Sequence, residues 1–443
     1  MIRISTQLRV EKPYHSGAGV YLDINDGRCP KLSFNIESYA RTWGRFDYRA
    51  AEFAYFCAVI YGCDRAIGRD STLGDRWTRE ISVEIPVSDP VAWEVSVPVA
   101  EEMLEFLTGD IWHLSFISSS VALFGREFKR TKYKFRSKSR IQCKAVSLFS
   151  GGLDSLVGII DWLEENPKDK LLLASTYDAQ AESAKKDQER ILPYLKAAYP
   201  NRVQRFVARS GLVSDGLDIN FRSRSLTFLG NSVLAASFIG EGCEIRIPEN
   251  GAIALNFPLT PARRGSLSTR TVHPNYLRLF NSFLSSLGFS SAVINPYEYL
   301  TKGEMMQDCL NKALLEDIYF KSVSCGKRGF SKMHWHDKHA QACGHCVPCI
   351  FRQAAVFSAG FASEKFGCNI RKRGEWGSSD LLKPNGDIQS VVDFVKTEHS
   401  SADIWRVLRA NGYLHADDKG SYIDLVLRLK DELRAWLVDI KII

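Results

Sequence analysis

The segment Leu148-Phe149-Ser150-Gly151-Gly152-Leu153-Asp154-Ser155 constrains this 443-residue chain more than any other. It follows a short apolar run at 145–149 that reads as a buried strand, and it opens a stretch at 156–163 with helical spacing. Two adjacent glycines allow a tight turn and a close backbone approach to a ligand, with no Cβ in the way. Free N–H groups at the helix start, at the positive end of its dipole, then hold an anion. Ser150 and Ser155 add hydroxyl donors. Asp154 has the wrong charge to attract phosphate, so its expected role is to hold Mg²⁺, with no core packing and little part in folding. No Gly-Lys-Ser/Thr follows, which excludes a Walker A loop. The plainer alternative is a serine-glycine turn that merely caps a helix.

From Lys144 onward, strands at 145–149, 171–176, 203–208 and 244–247 are separated by helices at 183–199 and 226–239. Strands spaced by helices of this length predict βαβ units, a parallel sheet and the α/β class. Glu249 follows the strand at 244–247, and open α/β sheets bind ligands beyond the carboxyl ends of their strands. It is therefore a candidate substrate residue.

The flanking regions read differently. Ile81, Val83, Ile85 and Val87 alternate with Ser82, Glu84 and Pro86, which is strand period. Trp93, Val95 and Val97 are expected to continue as strand after a turn at Asp89-Pro90. Residues 48–61, rich in Ala and aromatics, suit a buried helix. The expected organisation is a mixed, strand-rich accessory domain at 1–140, a nucleotide-binding α/β domain at 141–300, a helix and cysteine segment at 301–370, and a helical extension at 371–443. In the last, Ile423, Leu425, Leu427, Leu429 and Leu433 carry helix-like patterning.

Hydrophobic residues at 45% and charged residues at 25% exclude a mainly disordered chain, a collagen and a coiled-coil rod. No apolar run approaches the ~20 residues that span a bilayer, and the first residues lack the apolar region of a signal peptide. A cytoplasmic protein with no membrane partner is expected. The net charge of +7 permits an anionic partner without demanding one. Residues 126–140 hold eight Lys/Arg against one acid, Glu127. Lys132, Lys134, Arg136, Lys138 and Arg140 would share one face of a strand. A solvated edge is preferred to a nucleic-acid track, because the stretch is short and no known module surrounds it.

Cys343, Cys346 and Cys349 stand at i, i+3 and i+6, with Cys325 upstream. In a chain without an export signal, such a cluster reads as a Zn²⁺ site. His334, His336, His339 and His345 lie close enough in sequence to replace one sulfur. Nothing around the cluster resembles a thioredoxin unit, which argues against a redox CxxC.

Loop and cluster together resemble the 7-cyano-7-deazaguanine synthase (QueC) family of PP-loop ATP pyrophosphatases, over about residues 143–360. The resemblance rests on SGGLDS at 150–155, Arg224-Ser-Leu-Thr-Phe-Leu229, Thr301-Lys302-Gly303-Glu304, and Ser324-Cys325 with CGHCVPCIFR ending at Arg352. The family's YGQRH segment corresponds to Asp178-Ala179-Gln180-Ala181-Glu182, with Gln180 kept. The resemblance implies a Rossmann-like (HUP-type) fold in which ATP and Mg²⁺ are held by Ser150, Gly151, Gly152, Leu153, Asp154 and Ser155. It implies catalytic roles for Asp154 and Lys302, and phosphate or carboxylate contacts for Lys302 and Arg224, with Arg222 a competing local candidate. Gln180 and Glu249 would meet the substrate, and Cys325, Cys343, Cys346 and Cys349 would hold a structural Zn²⁺. The implied reaction adenylates the carboxylate of 7-carboxy-7-deazaguanine and passes it to an amine. Family members are about half this length, and the long form is similar to QueC-like proteins of anti-phage defence, most of all those of the Qat system. A co-encoded protein is the acceptor expected from the added regions. The alternatives are a free-standing nitrile synthase that uses ammonia, and a silent nucleotide- or nucleic-acid-binding module.

Overall fold

The computed structural model describes residues 2–5, 21–23, 32–35, 47–68, 78–118, 141–178, 183–212, 222–259, 270–327, 335–368, 370 and 386–443. The basic segment 126–140, Gln180 and His334 lie outside the described residues. Strands β1 (Ile2–Ser5), β2 (Tyr21–Asp23), β4 (Glu80–Val87) and β5 (Ile111–Ser118) form a small sheet in the order β2-β1-β4-β5, parallel throughout. In β4, Ile81, Val83 and Ile85 are buried, as their alternation with polar residues predicts.

The strand expected at Trp93, Val95 and Val97 is replaced by two helices, Pro90–Glu94 and Val97–Thr108. Capping outweighs the short alternation. The Asp89 side chain accepts the Ala92 N–H at 3.2 Å, and both helices carry a proline at their start. Proline there has its φ preset and no N–H to lose. These helices also blunt the edge of β5. Glu101 accepts the Leu114 N–H at 2.8 Å and Glu94 that of Phe116 at 3.3 Å, so carboxylates occupy two positions where a further strand would pair.

The larger sheet has the order β10-β9-β6-β7-β8-β3, from β3 (Leu32–Asn35), β6 (Ala145–Leu148), β7 (Leu171–Asp178), β8 (Val203–Leu212), β9 (Glu244–Arg246) and β10 (Val293–Ile294). Five strands are parallel, and β3 joins β8 antiparallel. Both faces are covered, so the strands read as continuous apolar runs. Ala145, Leu171, Leu173 and Val203 face the helices Leu153–Glu165 and Ser183–Ala198. Val146, Leu148, Leu172 and Phe206 face Arg224–Ile239 and Pro274–Ser286. Each fully buried Leu or Phe contributes about 2 kcal/mol, so these two apolar layers hold the α/β unit together.

The second layer extends into the N-terminal region. The helix Tyr48–Ala66, expected over 48–61, packs against Arg224–Ile239 in one core that runs from Ala50 to Val293. A buried ion cluster adds a polar tie: Arg79 pairs with Asp64 and Asp110, and Ser223 donates to Asp64 at 2.5 Å. The helix Tyr48–Ala66, through Asp64 and its apolar face, thus ties the N-terminal region to the α/β unit.

The C-terminal pattern is helical, as expected. Asp387–Lys396, Ser401–Asn411 and Lys419–Asp439 enclose a separate apolar cluster with the helix Val347–Ser358. Among the described residues, no helix is long and apolar enough to cross a membrane.

Candidate functional site

Strand order reverses at β6: β7 and β8 lie to one side, β9 and β10 to the other. A crevice opens beyond the carboxyl ends of such strands at the switch point. Here it is a cleft of about 250 Å³ between the loop after β6 and the segment after β9. Gly151 turns the loop with φ +82°, and a Cβ there would stand 2.8 Å from the Cβ of Asp187. Gly152 is the N-cap of the helix Leu153–Glu165 and offers no side-chain cap. Ser150 Oγ accepts the Gly152 N–H at 3.1 Å and donates to Ser155 Oγ at 3.2 Å. Ser155 in turn donates to the Gly152 carbonyl at 2.9 Å. The loop is therefore held open, with the positive end of the helix at the cleft.

Lys302 begins the helix Lys302–Gln307, which a capping box stops from fraying. Thr301 Oγ1 accepts the Glu304 N–H at 3.1 Å, and Glu304 accepts the Thr301 N–H at 2.8 Å. The Lys302 ammonium forms an ion pair with Asp154 Oδ1, and the two residues are 5% and 6% exposed. Asp154 Oδ2 accepts from Asn250 Nδ2 at 2.8 Å, and the same amide donates to Glu249 Oε1 at 3.0 Å. Asp154 is thus a buried ion-pair partner as well as a candidate cation ligand, which corrects the expectation that it takes no part in packing. Burial pushes its carboxyl up, but the Lys302 charge and the hydrogen bonds of Glu249, Lys302 and Asn250 hold it well below the usual range. Glu249 moves the other way, raised by burial and by the negative charge of Asp154. Two neighbouring carboxyls are thereby pushed apart, Asp154 toward the ionised form and Glu249 toward the protonated one. The oxygen donors are of the kind Mg²⁺ takes.

Cys325, Cys343, Cys346 and Cys349 bring their sulfurs within 4.8 Å of one another. The Cys343–Cys349 separation is 3.8 Å. Four sulfurs at ~2.3 Å from a tetrahedral Zn²⁺ stand about 3.8 Å apart, so the set fits this ion. His336, His339 and His345 are not part of the set. Cys325 and Pro348 also line the cleft. The segment 322–326 lies between cluster and loop: the Val323 N–H donates to the Gly151 carbonyl at 3.0 Å, and Ser324 Oγ is 3.5 Å from the Leu153 N–H. Arg352, 1% exposed, secures this segment through Ser322 Oγ at 2.9 Å and the Tyr319 carbonyl at 2.8 Å, and it pairs with Glu364 at 2.6 Å.

Ser150, Gly152, Leu153, Asp154, Ser155, Glu249 and Lys302 line one cleft, with Gly151 at the turn beneath it. Arg224 does not line it; its guanidinium lies over the Phe228 ring at 5.6 Å. Arg222 donates to the Thr108 carbonyl at 3.0 Å. Sequence reasoning missed Asn250, Ser324 and the bracing role of Arg352. Asn250 carries a local signal, since Asn before Gly suits a helix N-cap, and it does accept the Ile253 N–H at 3.0 Å. The chain matches no family model, no curated protein and no solved structure.

Proposed function

We propose that the chain is an ATP-dependent, adenylate-forming ligase of the QueC-like kind, of the long form associated with Qat-type anti-phage defence, acting in the cytoplasm. It adenylates the carboxylate of 7-carboxy-7-deazaguanine and transfers the acyl group to an amine of a co-encoded protein. The observation that carries this reading is the glycine loop at a helix N-terminus with the Lys302–Asp154 pair beside it. The strand order supports a Rossmann-like, HUP-type assignment, since β8-β7-β6-β9-β10 follows the 3-2-1-4-5 pattern of the doubly wound dinucleotide folds.

A carboxylate is a poor electrophile, because its leaving group would be oxide. ATP supplies an adenylyl group that turns this oxygen into a leaving group, with Mg²⁺ neutralising the pyrophosphate released. The protein's part is positioning and charge. The backbone N–H groups of Gly152 and Leu153 and the hydroxyls of Ser150 and Ser155 would hold phosphate oxygens in exchange for the hydrogen bonds they now make within the loop and to Ser324. Lys302, paired with Asp154, faces the negative charge that builds up on the leaving group. Glu249, its carboxyl pushed toward the protonated form beside Asp154, lines the cleft where a substrate oxygen would lie. Cys325, Cys343, Cys346 and Cys349 would hold Zn²⁺, which would fix the segment 322–326 against the loop.

The test is intact-mass analysis of each co-encoded protein after co-expression with this one. A deazaguanine-sized mass increase that vanishes with Asp154→Ala supports the reading. Unmodified partners alongside free nitrile would refute the protein acceptor and restore the ammonia-dependent synthase.

A further inference from the structure

The six-residue helix Lys302–Gln307 is too short to hold its own shape in water. Its capping box satisfies the N–H groups of Thr301 and Glu304 and leaves that of Gly303. That group is taken from outside, by the C-terminal helix Lys419–Asp439. Glu432 Oε2 accepts the Gly303 N–H at 3.1 Å and the Thr301 hydroxyl at 2.6 Å. A carboxylate at a helix N-terminus is favoured by the helix dipole as well. The approach is close: a Cβ on Gly303 would stand 2.4 Å from Glu432 Oε2, so no larger residue admits the carboxylate.

The same face of the C-terminal helix reaches further. Arg428 pairs with Glu304 and donates to the Tyr299 carbonyl, each at 2.6 Å, and Tyr422 donates to Glu298. Leu425 packs against Gly251, where a Cβ would meet its Cδ2 at 2.6 Å. Residues 422, 425, 428 and 432 are spaced as one helical face. Gly251 follows Asn250, and Gly303 follows Lys302. One helix therefore backs both walls that close on Asp154.

Resting on the reading above, we propose that Glu432 is a positioning residue for Lys302, which makes the C-terminal helix part of the reaction site. The cost of this contact supports a dedicated role. Burial lifts the Glu432 carboxyl to about 7, against the hydrogen bonds from Thr301 and Gly303, and its Oε1 has no partner among the described residues. A helix that served only to cover an apolar surface has no need of a carboxylate there.

The experiment acylates the full-length protein with acetic anhydride at fixed pH and follows each lysine by peptide mass spectrometry. Lys430, 9% exposed on the same C-terminal helix, is the internal reference. A lost charge-assisted hydrogen bond of about 1.5–3 kcal/mol opens the segment about tenfold or more. Glu432→Ala is therefore expected to raise the labelling rate of Lys302 about tenfold and leave Lys430 unchanged, while kcat of the ATP reaction falls. Glu432→Gln keeps an oxygen acceptor without the charge, and its Lys302 labelling should fall between that of the parent and that of Glu432→Ala. If Glu432→Ala does not fold, Gly303→Ala is read instead, since it evicts the carboxylate by contact. Equal labelling of Lys302 in the parent and in a folded variant, or Lys430 rising in step with Lys302, overturns the proposal. A parent that binds no ATP would sink the ligase reading instead, and the labelling ratio would still decide the role of Glu432.

Discussion

Lys302 and Asp154 stand 148 residues apart in the chain and meet as a buried ion pair at the head of the phosphate-loop helix. Removing one partner leaves an uncompensated buried charge. Asp154→Ala is expected to cost about 3–5 kcal/mol of stability besides abolishing pyrophosphate exchange into ATP. The double variant Asp154→Ala/Lys302→Met should recover much of that stability and none of the exchange. Urea denaturation of the four members of the cycle, with exchange measured on each, checks both parts. A fully stable Asp154→Ala protein would show that the ion pair does not matter for folding.

Gly151→Ala is expected to weaken ATP binding through the backbone alone. Its φ of +82° lies where an L-residue is strained by about 1–2 kcal/mol, and the new Cβ would press on Asp187 at 2.8 Å. Nucleotide titration by calorimetry, with the melting temperature as control, measures the effect. Unchanged affinity would mean that the loop does not cradle phosphate.

The purified protein should carry about one zinc per chain, released by chelator with a loss of stability. Cys349→Ser should lose the metal too. Because Cys325 borders the cleft and Val323 bonds to Gly151, zinc release is also expected to lower ATP affinity. Metal analysis under reducing conditions decides the first point, and titration of the stripped protein the second.

His273 is fully buried, and burial together with the nearby Arg270 charge lowers its pKa to about 3 from an ordinary 6.5. The unfolded chain therefore binds more protons between pH 6.5 and 3, so stability is present above 6.5 and is lost as pH falls through that window. Between pH 7 and pH 5 this group alone should remove about 2 kcal/mol. His273 caps its helix by accepting the Asn275 N–H at 3.1 Å, a role that Asn can also fill. His273→Asn should flatten the pH dependence of urea stability over this range, and equal slopes would contradict the assignment.

Legibility followed the range of the signals. Ser150 to Ser155 could be read because strand, glycines and helix lie within a few residues. The cysteines at 343, 346 and 349 could be read because their spacing is itself the ligand geometry. Trp93 to Val97 misled because three alternating positions weigh less than prolines at two helix starts. Asn250 could not be read as a partner of Asp154, because its local signal is spent on the helix it caps, and no neighbour reports a carboxylate arriving from 96 residues away. Ser324 and Arg352 were hidden for the same reason. Their partners are set by how β6, the cysteine cluster and the segment 322–326 come together.

The antiparallel pairing of β3 with β8 has a practical consequence for anyone who trims the chain to its nucleotide-binding portion. A fragment starting near residue 141 keeps the loop and the cysteines, but it loses the strand that finishes the sheet and the helix that covers Arg224–Ile239. The bare margin of β8 would then offer unpaired backbone groups next to a naked apolar surface, a template for stacking one molecule on the next. Poor solubility of such a fragment would reflect this missing border and would say nothing against its chemistry.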